Sequence, residues 1–206
     1  MLLCEKTVGL SSESPGLPEI ISDQTGQKVF PVHRLDQGTG GVMVFALSPN
    51  SCSALQSLFQ QDLICKEYLA VVSGRPSEDT GNFLDYLFHD RKKNKSYVVD
   101  QQRKGVKEAR CRWTVLQSVP FEGQVLSLVR VGLHTGRTHQ IRIQFASRGF
   151  PLVGDGKYGS RMKAVSPALW SCRLSFPHPY INGYSVNISS FPPDSFPWTL
   201  FDCSCL

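Results

Sequence analysis

The run Val42-Met43-Val44-Phe45-Ala46-Leu47 constrains the fold more than any other stretch of this chain. It is apolar at every position and of strand length, which predicts a buried strand over 41–47. A glycine-rich turn with Gly38, Gly40 and Gly41 leads into it. Ser48-Pro49 follows as a helix start, with serine as the cap and proline in the first turn. Just before the turn stands Val32-His33-Arg34-Leu35-Asp36-Gln37. On an extended segment Arg34 and Asp36 point to one side, and His33 and Leu35 to the other. Two readings stay open for that pair: a surface Arg/Asp ion pair in a hairpin loop, or one wall of a cleft with a working carboxylate.

The remaining elements follow from spacing. Residues 2–8 alternate weakly and read as a short strand ending at Gly9, and 11–26 as a loop with one short helix. Ala54, Leu55, Leu58 and Phe59 recur at helical spacing and give the helix after Pro49 one apolar stripe. Residues 66–74 read as a strand closed by Gly74, with Tyr68 on the face opposite Glu67 and Leu69. Residues 111–119 and 124–133 look like two antiparallel strands, and 135–146 like a helix with Ile141 and Phe145 inward and its arginines partly outward. Short strands over 169–176 and 184–188 end the pattern. No internal repeat or long linker interrupts it, so the expectation is one α+β domain over 1–206, with a mixed, mostly antiparallel sheet flanked by helices and loops.

With 206 residues the chain can bury one sizeable core. A net charge of +5 permits an acidic partner without demanding one. The distribution is more telling, because Arg91, Lys92, Lys93, Lys95, Arg103, Lys104, Lys107, Arg110 and Arg112 crowd one segment against Asp100 and Glu108. That segment is either a solvated lysine-rich hairpin or an RNA-phosphate surface. Seven scattered cysteines form no two-residue metal knuckle, so neither a disulfide framework nor a metal site is expected. Glu5 and Lys6 leave no room for a signal-peptide core, and no run approaches the ~18 apolar residues of a membrane span. A cytoplasmic protein without membrane association, and a monomer, are the corresponding expectations.

A carboxylate becomes a useful nucleophile when a cleft desolvates it and a cation keeps it ionised. Asp36 is the only acidic residue set directly before a glycine-rich turn and a buried strand. Arg34, Arg137 and Arg142 are the cation candidates, and Arg137 and Arg142, five apart on the expected helix, would face different ways.

These residues carry a resemblance. His33-Arg34-Leu35-Asp36 with Thr39 and Gly41, the strand Lys66 to Gly74, and Thr135-Gly136-Arg137-Thr138-His139-Gln140-Ile141-Arg142 resemble the RluA-type pseudouridine synthases, the family named after the ribosomal large-subunit enzyme A. The third stretch runs on through Gly149-Phe150-Pro151-Leu152-Val153-Gly154-Asp155 to Tyr158-Gly159, and Leu174-Ser175-Phe176-Pro177-His178-Pro179 supplies a fourth. The ordered matches spread from Lys6 to Pro179.

The resemblance implies an RNA pseudouridine synthase acting on uridine in transfer or ribosomal RNA, without cofactor or metal. It implies that Asp36 attacks the target uridine at the ribose C1′ or removes a ribose proton. Tyr68 then stacks on the base and assists at C5, and Arg142 pairs with the catalytic carboxylate. Arg34 is linked to base flipping, and Arg137, His139 and Gln140 are RNA-side contacts and packing. The chain departs from the family pattern in having Thr39-Gly40-Gly41 for Thr-Ser-Gly and Trp170-Ser171 for His-Ala, and the expectation is a catalytic part without the small S4 RNA-binding domain. Two other readings are an RNA-binding or chaperone protein that lost catalysis on the same fold, and a paired-carboxylate hydrolase, for which Asp36 has no acidic partner in a comparable motif.

Overall fold

The computed structural model describes residues 1–202. Cys203 and Cys205 lie outside them, and Cys4, Cys52, Cys65, Cys111 and Cys172 are free thiols. In chain order the elements are β1 Leu2–Lys6, α1 Leu17–Thr25, β2 Phe30–Pro31, β3 Gly40–Ala46, α2 Pro49–Gln60, β4 Cys65–Ser73 and β5 Thr80–Asp90. There follow β6 Lys95–Val99, β7 Val106–Phe121, β8 Gln124–Leu133, α3 Gln140–Ala146, β9 Leu169–Pro177 and β10 Ser185–Ser189, with single 3-10 turns at Gly156–Tyr158 and Trp198–Leu200. They form two compact units, Met1–Glu67 with Trp170–Pro192, and Tyr68–Leu169 with the stretch from Pro193 onward.

In the first unit β3 is buried along its whole length. β1 runs antiparallel to it from Leu2 opposite Phe45 to Lys6 opposite Gly41, and β9 runs parallel, with Gly40 opposite Trp170. β2 and β10 add antiparallel pairs on β3 and β9. Val42, Val44 and Ala46 pack with Leu55 of α2, Ile64, Leu174, Phe176 and Val186, while Met43 and Phe45 are also fully buried. Both faces of the strand are thus covered, as its unbroken apolar run requires. Burying each large side chain of this cluster is worth about 1.5–3 kcal/mol. α2 starts as expected: the Ser48 hydroxyl accepts from the Ser51 amide and Pro49 opens the first turn.

In the second unit the strand order is β4-β8-β7-β5-β6, in which the hairpins β7–β8 and β5–β6 are joined by the antiparallel pair β5–β7. The fold is α+β with a mixed, mostly antiparallel sheet. α3 lies on one face of these strands, where Leu87 and Ala109 meet Ile143, and Phe83 and Trp113 meet Phe145 edge-on.

Three of the longer elements differ from the sequence expectation. β5 and β6 were not anticipated, because Asn82, Asp85, His89 and Asp90 dilute the strand signal of one and the basic run Arg91 to Lys95 masks the other. The helix expected over 135–146 begins only at Gln140: His139 adopts a left-handed conformation at φ 56°, and residues 135–139 form a loop. Arg137 is therefore on that loop, and Arg142 is buried within the helix instead of facing partly outward. No helix among the described residues is long and apolar enough to cross a membrane.

Candidate active site

Asp36 opens a tight turn closed by the Thr39 amide donating to the Asp36 carbonyl at 2.9 Å. The residues on either side of it are tied to the N-terminal segment. Ser12, itself buried, donates its hydroxyl to the Leu35 carbonyl at 2.8 Å and accepts from the Leu35 amide at 3.1 Å. Gln37 exchanges two bonds with Gly9, the Gly9 amide to the Gln37 carbonyl at 2.9 Å and Gln37 Nε2 to the Gly9 carbonyl at 2.8 Å. These ties fix the backbone on both sides of the Asp36 carboxylate.

Beneath this turn lies Lys6, whose side chain has no exposed surface. Its ammonium donates to the carbonyls of Leu10 at 2.8 Å, Thr7 at 3.1 Å and Gln37 at 3.2 Å, which uses all three of its protons. Burial pushes its pKa down to about 8, and the negative charge of Asp36 pulls in the other direction. Lys6 thus supplies a positive charge to the field around Asp36 and a bond to the carbonyl of the next residue.

His33 and Arg34 diverge as their alternation requires. The His33 ring stacks on Phe59 at 5.1 Å, and its Nε2 accepts from the Val44 amide at 3.1 Å, so the neutral tautomer carries its proton on Nδ1. Burial, reinforced by the Lys66 charge, holds the ring neutral with a pKa of about 4. Arg34 is more than half exposed and pairs with Glu13 at 2.9 Å. An exposed pair of this kind contributes under about 1 kcal/mol and leaves the guanidinium available for exchange with an anionic ligand.

After the turn the chain enters β3 through Gly40 and Gly41. A Cβ on Gly40 would run into the Trp170 ring, and one on Gly41 into the backbone of Ser171, with Gly41 at a positive φ of 112°. Trp170 donates its indole N–H to Ser190 Oγ at 3.2 Å, and Ser190 Oγ donates in turn to Glu5.

In the second unit Arg142 forms a two-bond fork with Asp155, Nε to Oδ2 at 2.6 Å and Nη2 to Oδ1 at 2.9 Å, both side chains being buried. This geometry fixes the plane of the guanidinium. The Tyr158 ring lies 5.2 Å from the guanidinium carbon. Its hydroxyl accepts from the Ser96 amide at 2.8 Å and bonds His139 Nδ1 at 2.9 Å. Desolvation raises the Tyr158 pKa, so the phenol stays protonated. Gln140 shapes the preceding loop: its Oε1 accepts from Thr135 Oγ1 at 2.8 Å and from the Arg137 amide at 3.0 Å, and its Nε2 donates to the Arg110 carbonyl at 3.1 Å. Arg137 Nε donates to the Glu108 carbonyl at 2.8 Å. Tyr68 is buried in β4.

The structure therefore joins Arg142 with His139 through Tyr158, and Arg137 with Gln140 through their shared loop. Lys6 bonds the carbonyl of Gln37 next to Asp36, and Asp155 and Tyr158 surround Arg142, although spacing alone does not single them out. The signal for them was present: a lysine closing an alternating strand next to a tight turn, and an acidic residue and an aromatic after the glycines at 149 and 154. Among the described residues no group of three or more His, Cys, Asp or Glu side chains has a metal-holding arrangement.

Residues 2–147 match the family model described as RNA pseudouridylate synthase. The chain is 33% identical over 187 residues to tRNA pseudouridine synthase C of Vibrio vulnificus, covering 82% of this chain and 74% of that protein. It is 30% identical over 203 residues to an uncharacterized RNA pseudouridine synthase of Haemophilus influenzae, covering 96% of this chain and 86% of the relative. An uncharacterized RNA pseudouridine synthase of Aquifex aeolicus is 38% identical over 140 residues, and there the match spans 43% of the longer protein. Among solved structures, human RNA pseudouridylate synthase domain containing 1 superposes with a TM-score of 0.80 over 94% of this chain and 80% of that one at 21% identity, a likeness of fold.

Proposed function

The chain belongs to the RNA pseudouridylate synthase family, an isomerase family, and on that premise we propose that it converts uridine to pseudouridine in a structured transfer or ribosomal RNA, with Asp36 as the reacting carboxylate. The observation that carries this reading is the turn at Asp36, whose two neighbours are tied to Ser12, Gly9 and Lys6. Such fixation has a purpose where a single carboxylate must meet a sugar carbon at a defined angle.

In this reading the N1–C1′ bond of the target nucleotide breaks, the uracil turns over, and C5 bonds to C1′ while the C5 proton is lost and N1 gains one. The exchange is internal to one nucleotide and balances without oxidant or reductant. Asp36 opens it, either as the nucleophile at C1′ or as the base for a ribose proton. Tyr68 stacks on the base, where an aromatic face tolerates rotation, and assists at C5. Arg142, with its plane set by Asp155, keeps the carboxylate ionised. Arg34 fills the gap left in the RNA stack, and Arg137 meets backbone phosphate while His139 and Gln140 hold its loop. The two units work as one catalytic domain over 1–206, a reading supported by a family match that includes residues of both, and the chain acts on RNA as a monomer.

The test is Asp36→Asn, which keeps the volume and removes the charge. The variant should fold and bind RNA as the wild type does while forming no pseudouridine, read by tritium release from 5-tritiated uridine RNA. Full activity in the variant would overturn the assignment, and release of free uracil would indicate a hydrolase instead.

A further inference from the structure

Ser96 lies on β6 directly opposite His89 of β5, and only 1% of it is exposed although Lys95 and Tyr97 on either side are partly open to solvent. A buried serine on a short strand needs partners for its backbone and for its hydroxyl. Two of its bonds leave the hairpin. The Ser96 amide donates to the Tyr158 hydroxyl at 2.8 Å, and the Ser96 hydroxyl donates to the Thr138 carbonyl at 2.6 Å. A hydroxyl has one proton and Thr138 takes it, so His89 Nδ1, 3.1 Å from the Ser96 oxygen, is the donor in the third bond.

One residue therefore reaches two segments that lead to Arg142. Thr138 belongs to the loop that ends at the left-handed His139, and Arg142 stands in the first turn of the helix that follows. Tyr158 belongs to the turn that also carries Asp155, closed by the Tyr158 amide donating to the Asp155 carbonyl at 3.0 Å. That turn brings both the Asp155 fork and the Tyr158 ring to the guanidinium.

We propose that Ser96 is a positioning residue for the Arg142 site, holding the start of α3 and the Asp155–Tyr158 turn in register so that the guanidinium keeps its plane; the inference rests on the isomerase reading above, in which Arg142 serves the reacting carboxylate.

Three observations carry it. Ser96 is the point at which both segments are tied to one strand, so neither can shift without straining a bond to the same residue. The hairpin grips the Asp155–Tyr158 turn at two further places, where Lys157 Nζ donates to the Asn94 carbonyl at 2.9 Å and the Lys95 ammonium lies 5.5 Å from the centre of the Tyr158 ring. The Lys157 bond is exposed and exchanges with water, whereas Ser96 is sheltered from it. Finally, the side chain matters and not the amide alone. Any residue at 96 could supply the N–H, but the hydroxyl donates to Thr138 and accepts from His89 at once, which fixes the strand and with it the direction of the amide; an alanine could do neither.

The experiment is steady-state kinetics on a defined RNA for the wild type, Ser96→Ala, Arg142→Lys and the double variant, with Ser127→Ala as the control for loss of a buried hydroxyl. Ser127 is fully buried on β8, bonding Ser118 Oγ at 2.9 Å and the Gly74 carbonyl at 2.8 Å. Ser96→Ala should lower kcat about 10-fold with KM unchanged, the signature of a misplaced group that acts only in the transition state. Ser127→Ala should lower the urea midpoint and keep the wild-type kcat. In the Arg142→Lys background Ser96→Ala should lower kcat by less than about 2-fold, because the plane it protects is already lost. A wild-type kcat in Ser96→Ala would overturn the proposal, as would its full effect persisting in the Arg142→Lys background. If Ser96→Ala fails to fold, Ser96→Cys, of similar shape with a weak donor, takes its place in the same cycle. If Arg142→Lys fails to fold, Tyr158→Phe, which keeps the ring and removes the hydroxyl that the Ser96 amide reaches, replaces it with the same expectation. The two readings fail separately. Wild-type protein that forms no pseudouridine sinks the isomerase reading, whereas active wild type with an unchanged kcat in Ser96→Ala sinks the positioning role alone.

Discussion

Trp170 and Gly40 occupy one site between them: they are register partners across the parallel pair β3–β9, and the indole fills the space in which a Gly40 side chain would stand. The two local departures from the resembled pattern, at Gly40 and Trp170, thus face each other in this chain. Gly40→Ala should destabilise the protein by about 1–3 kcal/mol through overpacking. Adding Trp170→Val should offset part of that loss, so that urea denaturation finds the double variant more stable than the two single effects predict by about 1–3 kcal/mol. Strict additivity would show that the ring and the glycine do not compete.

His33 gives stability an acid limb. Its pKa is 6.5 unfolded and about 4 folded, so between those values the unfolded chain binds a proton that the native chain does not. Stability is therefore complete above pH 6.5 and falls as pH drops toward about 4, by at most about 3 kcal/mol. His33→Gln keeps an acceptor for the Val44 amide and should flatten this limb in urea midpoints measured from neutral to acid pH. An unaltered limb in the variant would assign it to other groups.

For Lys6 the same bookkeeping separates stability from activity. Its pKa is 10.5 unfolded and about 8 folded, so between those values the unfolded chain holds the extra proton and this group's contribution to stability rises with pH. Over the same window the ammonium beside Asp36 is neutralised and its bond to the Gln37 carbonyl weakens. Accordingly kcat/KM should fall along a limb centred near pH 8, and Lys6→Met should show a low plateau without that limb. A limb of equal position in Lys6→Met would remove Lys6 from the account.

Arg142 and Asp155 form a buried, doubly hydrogen-bonded ion pair. Asp155→Ala should cost about 3–5 kcal/mol of stability. Arg142→Lys keeps the charge and loses the fork, and should lower kcat by about 10–100-fold with little change in KM, because the plane and not the charge is lost. Steady-state kinetics on a defined RNA read the split; an unchanged kcat would show that orientation is irrelevant.

Much of the first unit was legible because its signals are local. An unbroken apolar run demands a buried strand wherever it stands, and Ser48-Pro49 starts a helix from its own chemistry. Asp36 stands out locally as the carboxylate just before the glycine turn that leads into that strand. What escaped depends on partners remote in sequence. Lys6 looks like an ordinary surface lysine until Leu10 and Gln37 surround it. The start of α3 was misplaced because the left-handed His139 and the Gln140 bonds to Thr135 and Arg110 override helical periodicity. The strands β5 and β6 exist because β7 pairs with β5, which no window of their own residues reveals.

The ties around the Asp36 turn have different ages in a chain made from its N-terminus. Lys6, Gly9 and Ser12 reach Leu35 and Gln37 across separations of 23 to 31 residues, so these loops can close while synthesis is still early. The Ser171 hydroxyl reaches the Val42 carbonyl across 129 residues, and Trp170 arrives with it. The turn is accordingly drawn early and clamped late, and the nascent protein holds Asp36 in outline long before the last clamp makes the geometry permanent.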